Sequence, residues 1–101
     1  MGLDGPPAPN RPPVISNFQA IVGPDGRVSF TGTVTDDQPA PGLVVTISGL
    51  GVTATAIVAS DGTFRVTTTV IGTAPVTVTA TTTDALGATS DPVQTTFTPT
   101  P

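Results

Sequence analysis

Residues 63–84 read TFRVTTTVIGTAPVTVTATTTD, and within them apolar and polar side chains exchange places at almost every step. Phe64, Val66, Thr68 and Val70 alternate with Thr63, Arg65, Thr67 and Thr69. After a Gly-Thr-Ala-Pro interruption, Val76, Val78 and Ala80 alternate with Thr77, Thr79 and Thr81. Successive side chains of a strand point to opposite faces, so each run offers one apolar face to a core and one threonine face to water. The pattern predicts a sheet protein with one wet side per sheet, with these two strands at its centre.

The same alternation recurs along the chain. Residues 14–21 form a first strand with Phe18 and Ala20 on one face. Residues 27–35 form a second, with Val28, Phe30, Gly32 and Val34 inward and Arg27, Ser29, Thr31 and Thr33 outward. Between them stands Gly-Pro-Asp-Gly at 23–26, where proline presets the first turn position and glycine supplies a positive φ. Residues 43–48 and 52–59 follow as strands separated by Ser-Gly-Leu-Gly, and Asp61-Gly62 reads as a hairpin signal before the strand at 63. A loop over 84–92 precedes the seventh strand at 93–98. Pro13, Pro75 and Pro92 each stand just ahead of a strand, where a missing N–H costs no ladder bond.

Seven short strands with regular turn signals and no helical period predict an all-β fold, a seven-stranded antiparallel immunoglobulin-like β-sandwich. An up-and-down or jelly-roll arrangement fits the threonine-rich strands but suits seven strands and this length less well. The sheet that takes up residues 52–59 stays open, because its connections are short on both sides. Val28, Phe30, Val45, Ile47, Phe64, Val66, Val76, Val78 and Phe97 are the expected core. On this assignment Phe64→Ala disrupts the fold and Thr67→Ala, on the wet face, is silent.

The chain has 101 residues, enough for one domain that buries about two thirds of the surface its unfolded form exposes. Residues 1–13, MGLDGPPAPNRPP, read as a stiff proline-rich linker, 14–98 as the domain, and 99–101 as the start of a second linker. A domain bracketed by two linkers is expected of a module within a longer protein. Cysteine is absent, so neither a disulfide framework nor a thiolate metal site is available.

Charge is sparse and acidic: three Arg and seven Asp, with no Lys, Glu or His, for a formal net charge of -4. Such a surface repels a phosphate backbone, so no nucleic-acid partner is expected. General acid-base work at neutral pH rests mostly on His, Glu, Lys, Cys or Tyr, all of which are missing, and a serine nucleophile would lack a base. The chain reads as a non-enzyme. Without lysine it also cannot form the Lys–Asn or Lys–Asp cross-link of some bacterial surface domains. Sugar stacking on exposed Trp or Tyr is equally unavailable, and the four Phe alternate with polar neighbours in a way that turns them inward. The threonine ranks resemble those of some ice-binding faces, but sandwich sheets twist and threonine is a good strand former with a soluble tip.

Residues 76–87, VTVTATTTDALG, followed by Ala88-Thr89-Ser90, resemble the sixth-strand signature of bacterial immunoglobulin-like repeats, and Ser60-Asp61-Gly62-Thr63-Phe64 resembles their D-G-aromatic turn. The likeness spans residues 13–98. It departs from the pattern at the extra Thr82-Thr83 and at Thr89. The resemblance implies a tandem repeat of a secreted or surface-attached bacterial protein, often an adhesin, with neighbouring domains of the same chain as partners and a cell-surface or matrix ligand as a further one. Some related repeats, cadherin-like ones among them, hold calcium between neighbours; residues 8–14 contain Asn10 but no acidic cluster of the cadherin kind. The isolated domain is expected to be a monomer with no membrane insertion. The rival reading is an accessory module that recognises a carbohydrate or protein through its loops, of which only 36–42 and 84–92 have any length.

One candidate site follows from parity. If seven strands each cross the body once, the connections at 36–42, 60–62 and 84–92 return to the pole where the chain enters. Asp36, Asp37, Asp61, Asp84 and Asp91 then share that pole, and Asp25 sits at the other. Calcium takes six to eight oxygens, so Asp36, Asp37 and Asp84 are the expected heart of a hard-cation site, with Asp61 and Asp91 peripheral. The competing explanation is that aspartate is favoured in turns because its side chain caps local N–H groups.

Overall fold

The computed structural model describes residues 11–37, 39–49 and 51–100. Most of the linker expected over 1–13 lies outside them. Strands β1 (Val14–Val22), β2 (Arg27–Thr35), β3 (Val44–Gly49), β4 (Val52–Ile57), β5 (Thr63–Thr69), β6 (Val76–Thr82) and β7 (Val93–Phe97) form two antiparallel sheets. One sheet has the order β1-β2-β5 and the other β4-β3-β6-β7. The described residues form an all-β sandwich with its core between the two inner faces. Among them no helix is long and apolar enough to cross a membrane.

The inward positions of β2 and β3 supply the centre of that core. Val28, Phe30, Val45, Ile47 and Val78 are wholly buried, and Phe64 and Phe97 nearly so. The Phe30 ring meets Phe97 edge-on at 5.6 Å and Phe18 at 6.2 Å, which ties the first strand, the second and the last into one aromatic cluster. Val66, Val76 and Phe18 are half-buried against its rim. Gly32 makes room for the fourth ring: a Cβ there would fall 2.5–2.6 Å from two atoms of Phe64 on the neighbouring strand.

Four expectations are corrected. The strands β5 and β6 are not a central pair, since β5 is the edge of the three-stranded sheet and β6 lies inside the other. Side-chain alternation records that a strand has one wet face, and an edge strand has it as much as an inner one. Asp61-Gly62 does not close a hairpin, because the β4–β5 connection crosses between sheets. Its turn is held by bonds from Gly62 N to Ala59 O (2.9 Å) and Ala59 N to Thr63 O (2.8 Å), while Gly62 O accepts from Val34 N at the end of β2. The first strand does not alternate uniformly: its register shifts between Ser16 and Gln19 around Asn17, whose φ is 54°. This bulge buries Ile15 ahead of it and still leaves Phe18 and Ala20 inward beyond it. Finally, Thr67 is not a bystander, since its hydroxyl bonds that of the buried Ser29 at 2.9 Å.

The open question of residues 52–59 is resolved by their neighbour. The short turn after β3 leaves β4 only the adjacent edge, where Val45 faces Ala56 and Ile47 faces Ala54. At the two ends of the body the flanking segments pack down: Pro13 is wholly buried, Pro99 is buried, and Thr100 Oγ1 donates to Gly23 O at 2.5 Å.

Phe64→Ala is expected to lose ~3–5 kcal/mol, a large share of the stability of a domain this size, and Thr67→Ala about 1 kcal/mol through the orphaned Ser29 hydroxyl. Thr55→Ala, exposed on the four-stranded sheet, is the silent control. Denaturant melts check the order; equal midpoints for the Phe64 and Thr55 variants would overturn the assignment of inner faces.

Candidate cation site at the aspartate pole

Two connections build this pole. After β2 the chain turns at Asp36 and Asp37, and after β6 it enters a loop organised by Asp84. Asp84 Oδ1 accepts from Leu86 N (3.0 Å) and Ala88 N (2.9 Å), its carbonyl accepts from Gly87 N (3.1 Å), and its own N–H donates to Ala88 O (2.9 Å). Gly87, at φ 91°, permits the tight reversal. The D-A-L-G segment is thus a turn specified by one aspartate.

Beneath this loop lies a buried polar pair that the sequence reading missed. Ser90 Oγ accepts from Thr82 N, Ser90 N donates to Thr82 O, and Thr82 Oγ1 donates to Val44 O across the sheet. These bonds close the loop onto β3 and fix where Asp84 stands. A Thr and a Ser eight residues apart, straddling a D-x-x-G turn, were the available signal.

Carboxylate oxygens of Asp36, Asp37 and Asp84 lie within 4.8 Å of one another. Asp84 is buried, Asp36 half-buried and Asp37 exposed. Asp36 Oδ1 accepts from Asp37 N at 2.9 Å, whereas its Oδ2 is out of contact with solvent and has no hydrogen-bond partner among the described residues. Asp37 Oδ2 accepts from Arg11 N at 3.1 Å, which fastens the incoming segment to the pole. Asp61 and Asp91 are not part of this cluster. Asp61 Oδ1 is taken by Thr63 N (3.0 Å) and Thr63 Oγ1 (2.6 Å), a local turn bond of the kind that accounts for aspartate in loops; Asp91 is exposed.

Burial pushes the Asp36 carboxyl above its ordinary value of 3.8, the Asp37 side chain and the charge of Asp84 add to the rise, and the Asp37 N–H opposes it. The two bonds from Thr63 hold Asp61 below the ordinary value. The donor set at the cluster is all oxygen, the chemistry of a hard divalent cation, and three carboxylates supply only part of the six to eight oxygens calcium takes.

No family model and no curated protein matches the chain. Among solved structures it is similar to the crystal structure of chitinase ChiW from Paenibacillus sp. str. FPU-7, described as a bacterial cell-surface-expressed multi-modular enzyme machinery. The TM-score is 0.63 at 13% identity, over 96% of this chain and 9% of that one. The chain thus spans less than a tenth of that protein, and the likeness is one of fold.

Folding raises the Asp36 value, so this group's contribution to stability is full below the unfolded value and is lost as pH climbs through the folded one. Asp61 runs the other way: its contribution is present above the unfolded value and is lost as pH falls through the depressed folded one. Asp36→Asn is therefore expected to raise Tm at pH 7 and to flatten the decline of stability above about pH 4. Thermal melts from pH 3 to 8 check it, and a lower Tm for the variant at pH 7 would refute the account.

Proposed function

We propose that this chain is a non-catalytic spacer or adhesion repeat of an extracellular bacterial multidomain protein, of the bacterial immunoglobulin-like kind, with neighbouring domains as its first partners. The observation that carries this reading is the fastening of both flanking segments at opposite poles. Arg11 N is bonded to Asp37 and Pro13 is buried at one pole; Pro99 is buried and Thr100 is bonded to Gly23 at the other. β1 and β7 run side by side from the first pole toward the second. Tension applied to the two ends therefore shears their ladders lengthwise, loading many hydrogen bonds together instead of opening them one at a time. The fold shared with a small part of a multi-modular surface enzyme supports a modular setting.

The aspartate pole has a task in the same reading. Calcium held by Asp36, Asp37 and Asp84 would take its remaining oxygens from the adjoining domain and stiffen the junction. The specific support is the buried, unpartnered Asp36 Oδ2. Two copies joined in tandem should scatter X-rays as an extended particle about twice the length of one, and a collapsed particle would refute the spacer. Calcium should raise Tm and move the amide signals of Asp36, Asp37 and Asp84 in the tandem more than in the single domain. No response in either at millimolar calcium would remove the ion from the reading without touching the spacer.

An accessory binding role through the loops has one observation in its favour: Leu86 is 65% exposed at the tip of the aspartate loop. Retention on insoluble chitin that is lost with Leu86→Ser would support that role over the spacer.

A further inference from the structure

The outer face of the three-stranded sheet differs in charge from the rest of the molecule. All six described aspartates, at 25, 36, 37, 61, 84 and 91, lie in connections between strands, whereas Arg27 and Arg65 lie in β2 and β5 on this face. Neither guanidinium pairs with a carboxylate among the described residues. In a chain of net charge -4, one face is left with unneutralised positive charge and no acid on its strands.

That face also has a shape. Gln19 on β1, Thr31 on β2 and Arg65 on β5 are register partners in a single row across the sheet. With strands about 4.8 Å apart, the two long side chains flank the short threonine from about 10 Å apart. Asn17, the residue left over by the bulge, adds an amide beside the row. The result is a shallow depression of about 330 Å³ lined by Asn17, Gln19, Thr31, Thr33, Thr63 and Arg65, with Gly32 and the nearly buried Phe64 between them.

We propose that this depression binds a uronate-bearing polysaccharide, with Arg65 taking the carboxylate and Asn17, Gln19, Thr31 and Thr33 taking the sugar hydroxyls. The planar guanidinium matches a carboxylate in a two-pronged geometry, and as an unpaired cation it has no competing partner to displace. Side-chain amides and hydroxyls both donate and accept, which is what neighbouring ring hydroxyls require. Phe64 also borders the depression, but at 3% exposure it offers a peptide side chain little to pack against. With Phe64 nearly buried, the depression presents no exposed ring, which argues against a neutral sugar held by stacking and matters less for a ligand held by charge. An edge-strand charge can serve only to discourage aggregation, but that duty does not call for an amide-and-hydroxyl row beside it. The proposal stands apart from the spacer reading, since a stalk module needs no ligand on its flank.

Oligogalacturonate titrated into the isotope-labelled domain, followed by amide shifts, tests it, with the methyl-esterified oligosaccharide as the neutral counterpart. The acid form should move the signals of Asn17, Gln19, Thr31 and Arg65, and the ester should bind about tenfold more weakly or worse, the loss of a charge-assisted pair. Arg65→Gln should weaken binding by a similar factor with Tm unchanged, while Arg27→Gln, at the far end of the face, should stay within about twofold. Absence of shifts, equal affinity for acid and ester, or parental affinity in the Arg65 variant would overturn the proposal. So would a glutamate-rich peptide that displaces the oligosaccharide from the same residues at lower concentration, since the partner would then be a protein.

Discussion

The contact on which the rest of the structure depends is the meeting of β2 and the four-stranded sheet through Phe30. Its ring is wholly buried, lies edge-on to Phe97, and touches Phe18, so strands from the start, middle and end of the chain converge on one side chain. With about 25 cal/mol gained per Å² of apolar surface removed from water, a few such rings dominate the core of a domain this size. Gly32 belongs to the same arrangement. Two residues along β2, it has no side chain because the Phe64 ring occupies that space.

Once the core is closed in this way, the connections have limited freedom. β4 must lie beside β3, and the step from β4 to β5 must cross from one sheet to the other. That crossing sends Gly62 to the end of β2, and the matching reversal after β6 brings Asp84 to Asp36 and Asp37. The aspartate cluster is thus a by-product of how the strands are ordered, fixed by the Thr82–Ser90 pair beneath it. Burial first, and then the neighbouring Asp37 side chain and the charge of Asp84, raise the proton affinity of Asp36 there.

The distribution of charge follows from secondary structure as much as from function. Aspartate competes for backbone N–H groups and so collects in turns, as Asp61 and Asp84 do here with Thr63, Leu86 and Ala88. Arginine, with a long stem, tolerates an exposed strand position. The outcome is a molecule with acidic loops at one pole and a cationic sheet flank. Partners that read these two surfaces would have to differ in sign.

The sequence by itself determined the strand number, the inner and outer faces of most strands, and the pole on which Asp36, Asp37 and Asp84 meet. These follow from local rules: a period of two, turn residues with fixed backbone preferences, and the parity of chain reversals. The residues that broke the local rules were legible only in three dimensions. Asn17 tolerates the positive φ of the bulge, but nothing local shows that the register of β1 shifts there, and so Ile15 could not be placed inside. Alternation cannot say whether β5 is an edge or a centre, since that depends on pairings between residues far apart in the chain. Nor could it show that Thr67 supports a buried Ser29, or that Gln19, Thr31 and Arg65 form one row, because register across three strands is set by the closure of the core and not by any one of them.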